Sequence, residues 1–396
     1  MAEKQAVDLG ALLRTVDKIE PVLRENTALG ERICRLPDAS MNAMKEAGLY
    51  RMWIPKTLGG LELDPMTVFE VLEAIARIDA AASWNLFMGI TPTLMGSWLS
   101  EDAASEIYSD GLVMAGALFP PLPAAPVQGG YRLNGRAPFV SGCHAASWFI
   151  FASMVVEDGQ PKTDDLGNPI ALAAFVPRSD VEIVENWDTL GMRGTGSHDV
   201  VVTDAFVPEH LAPLFVPYGE HPPGPAFQGP LYRLAIWSAA PAAVAVSLGI
   251  ARAAIEDVVH LAQQKTPAYT ETPLRERPVT QSQIAQAEGH RAAARAYILQ
   301  SLTEAYTSCE NLEPFTTEQR RNIQLASTHA LQAAARAVQL VHAIAGTSAI
   351  RNTERFAGYF RNIHTLTQHA FVSASRYEDV GQLMVGLSPS WPFFAF

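Results

Sequence analysis

Between residues 111 and 215 the chain is made of short runs rich in Val, Ile, Phe and Ala, and this texture constrains the fold most. LVMAGALF, GYRLNG, RAPFVSG, SWFIFASMVV, IALAAFVP, VEIVENW and HDVVVTDAFVP are broken by Gly, Pro, Asn and Asp, the punctuation of strands and turns. The stretch reads as an all-β domain. Asn134-Gly135, between YRL and RAPF, is a two-residue hairpin signal. Glu157–Asn168 reads as a polar surface loop joining two strands.

Helical patterns flank this unit. In residues 1–110, Asp64-Pro65 places a capping carboxylate before a proline suited to a first helical turn, and MTVFEVLEAIARID follows at helical spacing. Ala80–Leu99 is apolar nearly all round, which predicts burial between domains or between subunits. Trp84, Phe87, Met88 and Met95 could wall a pocket there or simply fill the core, and Thr91 follows on the same segment. After a Pro-rich link, Val216–Pro230, Ala-rich amphipathic stretches cover 232–264, 279–310, 316–345 and 357–387. They read as an antiparallel four-helix bundle. The expected division is 1–110 helical, 111–215 β, 216–231 linker and 232–396 bundle, with a tail, SWPFFAF, too apolar to stay in water.

The chain's 396 residues allow a large core, and a net charge of −12 argues against nucleic acid and anionic membrane surfaces as partners. No stretch is read as reaching the roughly eighteen apolar residues of a membrane span. MAEKQAVDLG shows no signal-peptide core. Three isolated cysteines, Cys34, Cys143 and Cys309, suggest neither a disulfide framework nor a metal site, so the expectation is a reduced, cytoplasmic protein.

Chemistry is sought first in Arg361–Gly386, which reads as one helix with a packed face through Ile363, Leu366, Ala370, Ala374 and Tyr377. His364 and His369 are five apart, about 140° around a helix, and cannot share one metal. Thr365 and His369 share a face. No dinucleotide fingerprint, P-loop, zinc-protease motif or nucleophile elbow is present. Ser197-His198-Asp199 is no triad, because adjacent strand residues point to opposite faces. Phe139 and Ser141 fall on one side of a strand leaving the hairpin, an aromatic ring beside a hydroxyl that suits a flat heteroaromatic ligand. Cys143 reads as structural, and His144 and His198 as surface or hinge residues.

LGMRGTGSHDVVVTDAFVP, NGRAPFVSG, and AGTSAI followed by FRNIHTLTQH carry a resemblance that covers essentially the whole chain. The chain resembles the acyl-CoA dehydrogenase superfamily: an α-helical N-domain, a middle β-barrel or sandwich domain and a C-terminal four-helix bundle. With LGIARAAI and KTPAYTETPLRERPVTQ, it looks more like the flavin-dependent two-component monooxygenase branch, which includes 4-hydroxyphenylacetate hydroxylase, steroid-phenol hydroxylase and dibenzothiophene monooxygenase oxygenases.

The two branches need different groups. A dehydrogenase needs a carboxylate base to remove an α-proton. By resemblance that base lies eight or nine residues after an Arg-Asp pair, where this chain has His369-Ala370, or in the first bundle helix, where Tyr232–Arg252 contains no Asp or Glu. Glu378, the nearest acid, reads as an exposed or end-of-helix charge. A monooxygenase needs reduced flavin, FMNH2 or FADH2, and O2, and must shelter a C4a-hydroperoxide in a dry pocket. The resemblance implies Ser141 at flavin N5, Phe139 on the ring system, His369 at the reacting edge, and Trp84, Phe87, Met88 and Thr91 around the substrate. Arg193 would orient flavin or structure its turn, and Arg275, Arg277 and Gln281 would meet the flavin phosphate or its adenosine extension from a neighbouring subunit. It further implies a homotetramer, as a dimer of dimers, and a separate NAD(P)H:flavin reductase. Asn362 replaces the usual Asp and no His lies near Thr91-Pro92-Thr93, which favours a sulfur or nitrogen heteroaromatic or a polycyclic over an ionised phenol.

Overall fold

The computed structural model describes residues 8–108, 112–215 and 223–395. Met1–Val7, positions 109–111 and 216–222 at the two expected boundaries, and Phe396 of the tail lie outside the described residues.

The N-terminal part is helical: α1 (Leu9–Ile33), α2 (Asp38–Glu46), α3 (Pro65–Ile78), α4 (Ala80–Ile90) and α5 (Glu101–Tyr108), with a 3₁₀ run over Thr91–Trp98. Local chemistry fixes the starts of α3 and α4. The Asp64 carboxylate accepts from the Thr67 amide at 2.9 Å and the Thr67 hydroxyl at 2.7 Å. Asp79 ends α3 and caps α4, accepting from the amides of Ala81 and Ala82 at 2.8 and 3.1 Å. The all-round apolarity of α4 is met by burial: among Ala80–Ile90 only Met88 is half-exposed.

The middle part is a seven-stranded sheet of β1 (Met114–Val127), β2 (Gly130–Val140), β3 (Trp148–Glu157), β4 (Gln160–Pro161), β5 (Ala171–Pro177), β6 (Val181–Val184) and β7 (His198–Pro208). Its order is β4-β3-β1-β2-β7-β6, with β5 also on β3; β1 runs parallel to β3 and the other pairs are antiparallel. The polar segment after β3 turns at Asp158-Gly159 into β4 and then reaches β5. The hairpin expected at Asn134-Gly135 falls elsewhere. β2 runs straight through that dipeptide, and the β1–β2 turn is made by Gln128-Gly129, with Gly129 at φ +80°. Asn134-Gly135 instead marks a register shift against β7, where the Asn134 side chain accepts from the Asp204 amide at 2.8 Å. Bulges and tight turns ask for the same residue types.

The C-terminal part comprises α6 (Pro230–Leu234), α7 (Ala239–Gln264), α8 (Pro278–Glu310), α9 (Thr317–Ala345), α10 (Arg355–Leu366) and α11 (Arg376–Met384). α7, α8 and α9 are the long helices the periodicity predicts. The fourth is not continuous. α10 stops at Leu366, so Arg361–Gly386 is two helices joined by a turn, and Thr365 and His369 do not share a helical face. Local hydroxyls compete with the helix: Thr367 Oγ1 bonds the His364 carbonyl at 2.7 Å, and the Gln324 amide from α9 pins the Phe371 carbonyl at 2.9 Å.

One sequence expectation fails on inspection. Leu234–Ala251 carries no charged residue, and the segment Pro230–Gln264 is long and apolar enough to cross a membrane by length and composition. It is 94% buried inside the protein over its most apolar window, as the core helix of the bundle.

α7 crosses α3 closely at Gly249, where an added Cβ would come within 2.5 Å of both the Glu73 carbonyl oxygen and the Ala76 Cβ. Gly289 on α8 faces open space. Helix propensity alone favours alanine over glycine by about 1 kcal/mol at either position. Gly249→Ala is therefore expected to lower the melting temperature, with about 1–3 kcal/mol of overpacking outweighing propensity, and Gly289→Ala to raise it slightly. Thermal unfolding of the two variants checks both signs.

Candidate active site

The antiparallel pairing of β2 with β7 ends at Val140 opposite His198, which sets Ser141 next to Ser197. Their hydroxyl oxygens are 2.6 Å apart, and Ser197 Oγ is 2.7 Å from Thr195 Oγ1, which lies 2.8 Å from the Met192 carbonyl. Phe139 and Ser141 are neighbours, but not through strand alternation. Phe139 takes a left-handed backbone, φ +60°, β2 stops at Val140, and the Ser141 amide bonds back to the Phe139 carbonyl at 3.1 Å. The turn leaves the Phe139 ring 69% exposed, edge-on to Trp187 at 6.1 Å.

From the helical side, Trp84 of α4 reaches this turn. Its indole Nε1–H donates to Ser141 Oγ at 3.0 Å. Its ring meets Phe87, one turn on, at 5.2 Å and His369 at 5.0 Å, both edge-on. His369 lies in the turn after α10 and stacks on Phe371 at 5.7 Å. Phe371 is covered in turn by Trp391 and Phe393 of the aromatic tail, at 5.4 and 5.0 Å. The tail therefore packs on the chain's own site-bearing turn. His369 Nδ1 is sealed from solvent without a hydrogen-bond partner, and burial pulls the imidazole down to about 4, so it is neutral at pH 7.

Four expected residues, Trp84, Phe87, Ser141 and His369, are thus one connected group. Thr91 spends its hydroxyl on the Phe87 carbonyl at 2.7 Å, and Met88 is half-exposed on α4. Arg193 is committed to the protein: it donates to the Glu31 carbonyl at 3.0 Å, the Asp188 carboxylate at 2.5 Å, the Thr189 carbonyl at 2.9 Å and Cys34 Sγ at 3.1 Å. It structures its turn and ties it to α1. Arg275 and Gln281 are exposed and Arg277 is half-buried around the start of α8, where Gln281 bonds the Arg275 carbonyl at 2.9 Å.

The Ser197-His198-Asp199 side chains diverge as strand geometry requires. Ser197 meets Ser141, His198 Nδ1 accepts from the Asn186 and Trp187 amides at 3.0 Å each, and Asp199 pairs with Arg136 at 2.7 Å. His198 is only 4% exposed, so the expectation of a surface residue is wrong; it is a buried brace. Cys143 is fully buried and structural.

Sequence reasoning missed the Ser197–Thr195 arm: Ser197 was considered only with His198 and Asp199, and Thr195 not at all. It also missed Asn362, whose side chain accepts from the Met192 amide at 2.7 Å. Gly191 must be glycine there, because a Cβ would come 2.3 Å from the Arg361 carbonyl oxygen. A polar cleft of about 290 Å³, lined by Arg35, Lys45, Asn85 and His144, adjoins Asn85 and Gly142 but does not include the Trp84–His369 group.

This arrangement fits a flat heteroaromatic cofactor. An exposed aromatic ring and a buried hydroxyl lie together at the end of β2, and Trp84 of α4 links that hydroxyl to His369, whose Nδ1 is orphaned. No carboxylate is hydrogen-bonded or ion-paired to His369 among the described residues, and Glu378 is exposed.

Residues 15–107 match the acyl-CoA dehydrogenase N-terminal domain family and residues 242–374 the acyl-CoA dehydrogenase C-terminal domain family. The chain belongs to the acyl-CoA dehydrogenase superfamily and, within it, to the flavin-dependent monooxygenases. It is 32% identical to the indole-3-acetate monooxygenase of Pseudomonas putida, over 93% of this chain and 92% of that one. It is 26% identical to the oxygenase component of p-hydroxyphenylacetate 3-hydroxylase from Acinetobacter baumannii, over 96% and 90%. Among solved structures, XiaF from Streptomyces sp., in complex with FADH2 and glycerol, superposes with a TM-score of 0.88 at 27% identity over 97% of both chains. The protein is a flavin-dependent oxidoreductase.

The buried imidazole carries a stability signature. A folded-state value near 4 against an ordinary 6.5 means that the unfolded chain takes up a proton first as pH falls. Stability from this site is full above about 6.5 and lost progressively toward 4. His144, His198 and His364 are lowered in the same direction, so the readout is a difference. Between pH 7 and pH 4 the denaturant midpoint of wild type is expected to fall further than that of His369→Leu. Midpoints that stay parallel would show that His369 titrates normally.

Proposed function

We propose that this chain is the oxygenase component of a two-component monooxygenase that places one atom of O2 into an apolar aromatic or polycyclic small molecule. The observation that carries this reading is a neutral His369 packed on Trp84, whose indole N–H holds Ser141, where a dehydrogenase would need a carboxylate. Reduced flavin, FMNH2 or FADH2 delivered by a separate NAD(P)H:flavin reductase, supplies the two electrons, so that the second oxygen atom leaves as water.

The chain's own residues then divide the work. Phe139 would receive the face of the flavin ring and Ser141 its N5 edge. Trp84, Phe87 and Phe371 surround the substrate and keep water away from the reacting edge. Neutral His369 offers one N–H and one bare nitrogen, enough to bond a substrate N–H or carry a proton, without putting a cation against an apolar ring. These demands suit a bicyclic heteroaromatic of about the size of indole, in line with the name of the Pseudomonas putida relative. A homotetramer, as a dimer of dimers, would bring Arg275, Arg277 and Gln281 of one copy to the flavin phosphate held by a neighbour.

Anaerobic protein with reduced FMN is mixed with ¹⁸O-labelled O2 and indole-3-acetate, indole or dibenzothiophene. One labelled oxygen in the product is expected, with turnover falling about 10²-fold in His369→Ala, the lower end of what a proton-handling group contributes. Unmodified substrates, together with tightly bound FAD bleached by an acyl-CoA, would support the dehydrogenase reading instead.

A further inference from the structure

The polar cleft between α2, α4 and the turn after β2 has a chemistry of its own. Its volume of about 290 Å³ is at the small end of what ligand clefts offer. It is separate from the Trp84–His369 group, because Asn85 follows Trp84 on α4 and points roughly 100° away from it. Asn85 is 2% exposed. Its Nδ2 donates to the Ala81 carbonyl at 2.9 Å and faces the Gly194 carbonyl at 3.5 Å, which sets the amide's orientation. Oδ1 is left buried with no donor. It is turned toward Gly142, where a Cβ would come 2.8 Å from it, and both residues line the cleft.

The rest of the lining supplies charge. Arg35 and Lys45 bring two positive charges and Asp38 one negative. Neither cation is ion-paired among the described residues; Arg35 Nη1 lies 3.5 Å from His144 Nδ1. Arginine can only donate, so Nδ1 accepts there. Burial, with Arg35 beside it, holds the His144 imidazole below its ordinary value, and it adds no charge at pH 7. The cleft thus offers one net positive charge, a planar guanidinium fork and one buried acceptor that lacks a donor. A single charge matches a carboxylate better than a dianionic phosphate, and the fork fits two carboxylate oxygens. We infer that this cleft is a ligand site separate from the flavin site, for a small organic acid carrying a hydroxyl or N–H donor near its carboxylate. The carboxylate meets Arg35 and Lys45, and the donor meets Asn85 Oδ1. Nothing in this depends on which flavin chemistry the other site performs.

The test is calorimetric titration of the full chain, without flavin, with lactate, propionate, lactamide and inorganic phosphate. Lactate has the charge and the donor, propionate only the charge, and lactamide no charge. Lactate is expected to bind about three- to tenfold more tightly than propionate, the weight of one net hydrogen bond, and lactamide not to bind. Arg35→Gln is expected to weaken lactate about tenfold or more, Lys45→Gln to weaken it less, and His369→Ala to leave it unchanged. Lys45 is exposed, so its variant keeps the test sound if Arg35→Gln melts early. No saturable lactate binding, binding untouched by Lys45→Gln and Arg35→Gln, or loss in His369→Ala would each overturn the site. Phosphate binding more tightly than lactate would overturn the carboxylate assignment.

Discussion

The hydrogen bond from the Trp84 indole to Ser141 Oγ joins a helix of the N-terminal part to the end of a strand in the sheet. Most of the site depends on it. Trp84 can reach because α4 is buried nearly all round and is started at a fixed point by Asp79. Ser141 can receive because β2 and β7 end in register and the Gly142 amide is held by the Thr195 carbonyl at 3.2 Å. Gly142 stands at φ +72°, and a Cβ on it would come 2.8 Å from the Asn85 side-chain oxygen, so the turn and α4 fit against each other at two successive residues. The same indole then supports His369 from the third part of the chain. One aromatic side chain therefore fixes the relative places of the hydroxyl and the imidazole, which is what a site built from three units requires.

The broken fourth bundle helix has a functional consequence. Had the chain stayed helical through residue 369, the imidazole would have been set by helical geometry alone. Ending α10 at Leu366 frees the following residues to turn in, with Gln324 holding the Phe371 carbonyl and Asp379 accepting from the Trp391 amide at 2.9 Å to anchor the tail. Phe371, Trp391 and Phe393 then close over the turn. This apolar cover is the physical cause of the low imidazole pKa.

What the sequence made legible follows from periodicity. The α-β-α order, the Asp64 cap, the buried α4 and three long bundle helices were all readable, because each rests on local spacing and composition. Three features were not. Asn134-Gly135 has the residues of a hairpin but serves a bulge, and only strand pairing distinguishes the two. The stop at Leu366 is accompanied by a hydrogen bond from Gln324, 47 residues before the Phe371 carbonyl it binds, and only the tertiary fold supplies that contact. The Ser141–Ser197 contact joins residues 56 apart, so its hydroxyls looked like unrelated serines in a glycine-rich turn. The residue identities of the site, Trp84, Ser141, Phe139 and His369, came from pattern and resemblance; their mutual contacts came only from the fold.

The most direct test of this account is an anaerobic crystal structure with reduced FMN. The isoalloxazine is expected to cover Phe139, with N5 within hydrogen-bonding distance of Ser141 Oγ and the reacting edge turned toward His369. A ring bound elsewhere, for instance in the polar cleft beside Arg35 and Lys45, or one whose N5 faces away from Ser141, would contradict it.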